Sequence, residues 1–364
     1  MKTEDLINQL GTVGTVGITI AQMSALYFDK DALIEPPYKL FQLNTKGHRF
    51  YYTHSEDGEV LMFPSVTTIL AETLPASPWL ISWIASKGEE AAERYKLERA
   101  AYGTFMHSQF EELLINRGYD LDGLRARLAE YIEREQLPSS FINYEYELKK
   151  DVLAFAQFVI DYDIKPYAVE VALVNKEDGY AGCIDLPCSM LAKKGGTERI
   201  SAIVDFKSGR KGFFDEHEIQ LGMYLKMWNL NFPDKPIDRI FNFSPKDWRS
   251  KPTYNLKDQT NSVNISKIPA ILELAKIEEA KRKNTITVIG GRIDLSAGLA
   301  GNVCDIPFAE LLSGTNIDTP ENGKKKPSEA TKSENGTTPR GEEKEARTAN
   351  ENGLFDNLQD VGEN

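Results

Sequence analysis

With 364 residues, 41% of them hydrophobic and 10% aromatic, the chain has enough apolar mass for a sizeable buried core, in one large domain or two ordinary ones. A net charge of −12 excludes a protein that coats nucleic acid through bulk positive charge. Three cysteines, Cys183, Cys188 and Cys304, form neither a disulfide framework nor a paired Cys-x-x-Cys metal site, so a reducing, cytoplasmic setting is expected.

Residues 1–35 read as an N-terminal segment. The uncharged run from Leu10 to Phe28 is diluted by glycines, threonines, Gln22 and Ser24, and Glu4 and Asp5 precede it, so neither a signal peptide nor a membrane span is expected. Residues 36–312 read as the main domain. It opens with strand-like runs at Tyr38 to Leu43, Arg49 to His54 and Val60 to Phe63, separated by turn signals at Asn44-Thr45-Lys46-Gly47 and Glu56-Asp57-Gly58. A three-stranded meander follows from that spacing. Ser65 is placed to cap a short helix, and Ser77-Pro78 supplies an N-cap and first-turn proline for another. On that second helix Trp79 and Trp83 stand four apart, as core residues or as a base-stacking pair.

From Tyr102 an apolar stripe through Phe110, Leu113 and Leu114 marks a helix on which His107 and Glu111 share a face. Such a pair is structural or metal-binding according to what joins it. A polar helical stretch spans Leu121 to Arg134, and a stronger helix runs from about Glu147 to Tyr162, with Pro166 beyond its end. Three β-rich runs come next, Tyr167 to Asn175, Tyr180 to Leu191 and Arg199 to Lys207, and their short turns predict consecutive antiparallel strands. Asp215 and Glu216 open a helix through Leu230, and Arg239 to Ser244 reads as a further strand. The order helix, three strands, helix, strand over about 147–244 predicts an α+β core with a mixed sheet flanked by helices.

Lys246, Arg249 and Lys251 lie in a loop with Trp248, and a helix from about Ser266 to Lys283 ends in Lys281-Arg282-Lys283. These cations read as solvated charge or as phosphate contacts. Ile286 to Leu312 reads as a strand and a last short helix. Residues 313–364 have the composition of a disordered acidic tail, which carries 7 basic and 11 acidic residues from Thr315 onward. Near its end Leu354 and Phe355 stand among acids, either incidentally or as a short peptide that orders on a protein partner.

The chemistry concentrates between Gly182 and Tyr224. Asp185 and Asp205 each fall toward a strand end, where two carboxylates and phosphate oxygens suffice to hold Mg²⁺. Asp205 and Lys207, two apart on a strand, share a face, and the carbonyl of Phe206 between them is a further candidate oxygen. Lys207 would orient a metal-bound water or stabilise charge on an attacked phosphate. Alone, Asp-x-Lys is a common tripeptide.

In order, His107, Asp185, Asp205-Phe206-Lys207 and Gln220-x-x-x-Tyr224 resemble the PD-(D/E)XK nuclease superfamily, and within it the RecB-like and phage-exonuclease branch. The resemblance covers about Phe63 to Ser244. It implies a restriction-endonuclease-like αβββαβ core and a DNA nuclease dependent on Mg²⁺, with Mn²⁺ as a substitute, acting in recombination, repair or end processing and carried by a phage or mobile element. By the same resemblance Asp185 and Asp205 are the metal carboxylates, Lys207 is the catalytic lysine and His107 is an upstream metal ligand. Glu170 is expected to support catalysis, while Gln220 and Tyr224, with Arg210 and Lys211, are expected to face DNA. Some relatives carry four cysteines around an iron–sulfur cluster; with three here, none is expected. An oligomer is compatible with the sequence and no membrane association is expected. The alternative is a nuclease fold that binds nucleic acid or protein without cutting, and a carboxylate acid–base hydrolase ranks below both.

Overall fold

A computed structural model describes residues 33–45, 48–55, 60–210 and 212–281, together with the strands Thr285–Ile289 and Val303–Pro307. The tail with Leu354 and Phe355, the N-terminal run and Lys211 lie outside the described residues.

The expected meander is present. β1 (Phe41–Thr45), β2 (His48–His54) and β3 (Val60–Pro64) pair antiparallel in sequence order. Ser65 accepts the Thr68 N–H at the start of α1 (Val66–Thr73), and Ser77 accepts that of Leu80 at the start of α2 (Pro78–Lys87), so both caps satisfy amides that have no partner within their helices. On α2, Trp83 is buried and Trp79 is 41% exposed, the two rings stacked at 6.4 Å.

Next come α3 (Glu89–Asn116), α4 (Leu124–Arg134) and α5 (Glu145–Asp161). The strands after them are β4 (Lys165–Pro166), β5 (Val171–Asn175), β6 (Tyr180–Ile184), β7 (Leu186–Leu191) and β8 (Arg199–Phe206). Helix α6 (Asp215–Asn231) connects β8 to its parallel neighbour β9 (Arg239–Pro245), and β10 (Tyr254–Asp258) and α7 (Ile268–Lys281) follow. The central sheet has the order β10-β9-β8-β7-β4. It is mixed, with β8 and β9 parallel and the other pairs antiparallel.

One expectation needs correction, and two strands went unread in the sequence. The run Tyr180 to Leu191 is two strands, not one: β6 pairs with β5 in a separate hairpin, β7 pairs with β8, and Asp185 stands at the change. β10 follows the expected loop and was not read in the sequence; it is an edge strand whose side chains are at most half-buried, so it lacks the apolar alternation that marks strands in sequence. Finally, in the segment expected to hold one strand and a last short helix, Val303–Pro307 is a second strand antiparallel to Thr285–Ile289, and residues 308–312 lie outside the described residues.

Alternation of side chains along β8 and β9 divides the interior. Ala202, Val204, Phe206, Phe241 and Phe243 face α3, α4 and α5, where Phe110 and Phe155 stack at 4.1 Å between centroids. Ile203 and Ile240 face α1, α6 and α7 with Met223, Trp228 and Ile271. Asp205 and Asn242 have the parity of Ile203 and Ile240, so polar groups occupy the α6 side at the C-terminal end of β8. No helix among the described residues is long and apolar enough to cross a membrane.

Candidate active site

His107 is carried by α3, Glu170 by the turn before β5, Asp185 by the change between β6 and β7, and Phe206 by the end of β8. The His107 Nδ1 lies 3.1 Å from Glu170 Oε1 and 3.8 Å from Asp185 Oδ1, and its Nε2 is 3.1 Å from the Phe206 carbonyl. One ligand atom each from His107, Glu170 and Asp185 falls within 4.8 Å of the others. Glu170 reaches this position with φ of +48°, a left-handed conformation uncommon for a side chain of its kind, and its N–H donates to the Asp185 carbonyl at 2.9 Å.

Asp185 is fully buried. Its Oδ2 accepts the Phe206 N–H at 2.6 Å, while Oδ1 has no hydrogen-bond partner. Burial pushes its carboxyl well above the ordinary range, and the neighbouring Glu170 and Asp205 push the same way against His107 and Lys207. Burial also raises Glu170, but hydrogen bonds from His107 and Cys183 outweigh it and hold that carboxyl below its usual value. Burial lowers His107, yet Asp185 and Glu170 win, so its pKa is raised to about 9.

The donor set therefore fits a divalent cation. Three acidic or imidazole groups converge, and the Asp185 oxygen without a hydrogen bond has its nearest source of positive charge in His107 Nδ1 at 3.8 Å. A doubly protonated His107 and a bound cation are alternative sources of that positive charge. The carboxylate oxygens suit Mg²⁺ or Mn²⁺, whereas the imidazole nitrogen is a ligand more usual for later transition metals.

Asp205 lies beside this group rather than inside it. Its Oδ2 accepts from Lys207 Nζ at 3.1 Å and from Asn242 Nδ2 at 2.8 Å. Lys207, only 1% exposed, also donates to Gln220 Oε1 at 3.0 Å, and Gln220 Nε2 donates to the Tyr224 hydroxyl at 2.9 Å. The Gln-x-x-x-Tyr pair thus faces inward: at 3% and 2% exposure these side chains hold the lysine and have no open face for DNA. Arg210 is likewise tied inward, to Glu147 at 2.9 Å and Asp151 at 2.8 Å. Asn242 and the Gln259 bonded to it carried no motif in the sequence; the available signal was a lone amide within the apolar run Ile240-Phe241-Asn242-Phe243.

Gly182 of β6 makes room for Tyr224. A Cβ there would lie 2.7 Å from the tyrosine ring, in a contact that neither side can accept without shifting. Gly182→Ala is expected to destabilise the protein by about 1–3 kcal/mol, as overpacking of an interior does. A urea midpoint equal to that of the unaltered protein would refute this close approach.

Cys188 is buried in the core, whereas Cys183 is half-buried and donates to Glu170 Oε2 at 3.4 Å.

No protein family and no curated protein matches the chain. Two solved structures are similar to part of it. One, from Eubacterium rectale and named "Putative exonuclease", is 11% identical, with 58% of this chain and 96% of that chain covered and a TM-score of 0.24. The other, SSO0001, is 12% identical, covers 49% of this chain and 85% of its own, and has a TM-score of 0.21. At such scores the likeness carries neither fold nor function across.

Proposed function

We propose that the chain is a divalent-metal-dependent DNA nuclease that hydrolyses phosphodiester bonds, acting as an exonuclease in recombination, repair or end processing. The observation that carries this reading is the buried Asp185 Oδ1, which has no hydrogen-bond partner and faces His107 and Glu170. His107, Glu170, Asp185 and the Phe206 carbonyl would hold Mg²⁺ or Mn²⁺, with Asp205 adjoining. Once bound, the cation supplies activation of water and compensation of phosphate charge.

The chain's own groups do the rest. Lys207 presents a positive charge whose position is set by Asp205 on one side and Gln220 on the other, which suits it to stabilise charge growing on an attacked phosphate. Pre-set charge of this kind requires no reorganisation during reaction. The Phe206 N–H fixes Asp185, and the order of His107, Asp185, Asp205-x-Lys207 and Gln220-x-x-x-Tyr224 supports DNA as substrate through the resemblance noted above.

The test uses purified protein with labelled linear duplex, circular duplex and single-stranded DNA, each with Mg²⁺, Mn²⁺ or EDTA. Linear duplex should be degraded from its ends with either ion, and closed circles should survive. Intact substrates in every metal-containing reaction would overturn the assignment, and cut circles would replace exonuclease by endonuclease action.

A further inference from the structure

We propose that Asn242 and Gln259 are positioning residues, which form an amide relay holding the Asp205 carboxylate in a single orientation beside Lys207. The inference rests on the nuclease reading for its consequence, though its geometry is independent of it. Asn242 stands directly opposite Asp205 in the parallel pairing of β8 and β9, so both side chains lie on the α6 face. Its Nδ2 donates to Asp205 Oδ2 at 2.8 Å, and its Oδ1 accepts from Gln259 Nε2 at 3.1 Å. Gln259 is anchored through its own N–H to the Ile240 carbonyl at 2.9 Å. Asn242 is fully buried and Gln259 nearly so, which leaves water no role in setting either amide.

The polarity of the relay is dictated by chemistry. An ionised carboxylate only accepts, so Asn242 must turn its NH₂ toward Asp205 and its oxygen away. That oxygen then demands a donor, and Gln259 supplies one. Reversing either amide would set two acceptors against each other in a water-free interior, the arrangement buried polar groups avoid. With Asn242 and Lys207 both on Oδ2, Oδ1 receives only the longer Lys207 contact at 3.4 Å. The relay therefore commits one oxygen to the sheet and the lysine and leaves the other with spare accepting capacity, in a carboxylate whose charge acts on Asp185.

Gln259→Glu tests this at a distance from the reacting atoms. It keeps size but replaces the donor by an acceptor, which forces Asn242 to turn its NH₂ away from Asp205. Mn²⁺ affinity, read by calorimetry on the full chain, should weaken by about 10–100-fold, as when groups supporting metal ligands are lost. In the nuclease assay kcat should fall with KM for DNA unchanged. In an Asn242→Ala background, Gln259→Glu should have no further effect on Mn²⁺ affinity, which a general packing role would not produce. Should Gln259→Glu fail to fold, Gln259→Met removes the donor without adding charge and must weaken Mn²⁺ binding by about threefold or more. Affinity and kcat unchanged in a folded variant would overturn the relay while leaving nuclease action standing. A wild-type protein that cuts no DNA, but whose Mn²⁺ affinity responds as described, would overturn the nuclease reading alone. Absence of Mn²⁺ binding by the wild type would overturn both.

Discussion

Lys207→Met is expected to lower the rate of DNA hydrolysis at saturating Mn²⁺ by about 10²–10⁴-fold, while leaving in place the groups that would hold the ion. The split follows from geometry. Lys207 bonds to Asp205 and Gln220, and its charge also acts on Asp185 and His107, so its loss removes fixed charge beside the converging group without removing a member of it. Breaking one side of a buried ion pair costs about 3–5 kcal/mol, so the variant should also unfold earlier. Rates are accordingly compared per folded molecule, with unfolding followed by circular dichroism. Full activity in the folded variant would remove Lys207 from the chemistry.

Asp185→Asn should separate stability from function in the opposite direction. The amide oxygen can still accept the Phe206 N–H, but the carboxylate that burial disfavours in its charged form is gone. Metal affinity should fall by about 100-fold or more, since a ligand is lost outright where loss of a supporting group alone costs 10–100-fold. Metal-free protein should become more stable by about 1–3 kcal/mol, the scale of an unsatisfied buried group. Thermal unfolding in EDTA and Mn²⁺ calorimetry on the same sample decide it. A less stable metal-free variant would mean that Asp185 is not strained by its burial.

Much of this was legible in the sequence because short-range rules govern it. The caps at Ser65 and Ser77 needed only a residue and its successor three positions on. Asp205 and Lys207 were placed on one face by strand alternation, and Gln220 and Tyr224 on one face by the helical turn. What escaped depends on which strand sits beside which. In the run from Tyr180 to Leu191, Asp185 and Pro187 interrupt the apolar residues, but neither says which neighbour each half pairs with, since both halves are buried. Asn242 acquires its meaning from a register with Asp205 across a parallel pair, and Gln259 from a polar edge strand that local patterning does not reveal. The inward direction of Gln220 and Tyr224 depends on the space left by Gly182, 38 and 42 residues earlier. The role of Arg210 was likewise decided by Glu147 and Asp151 on a distant helix.

The change of sheet at Asp185 has a practical use for spectroscopy. Its carbonyl accepts the Glu170 amide on the hairpin side, and its carboxylate accepts the Phe206 amide on the central-sheet side. One residue is thus the common acceptor for an amide at the entrance to the hairpin and an amide of the central sheet. Their proton resonances form a matched pair of reporters, from which hydrogen exchange can tell whether the hairpin and the central sheet open together or in succession.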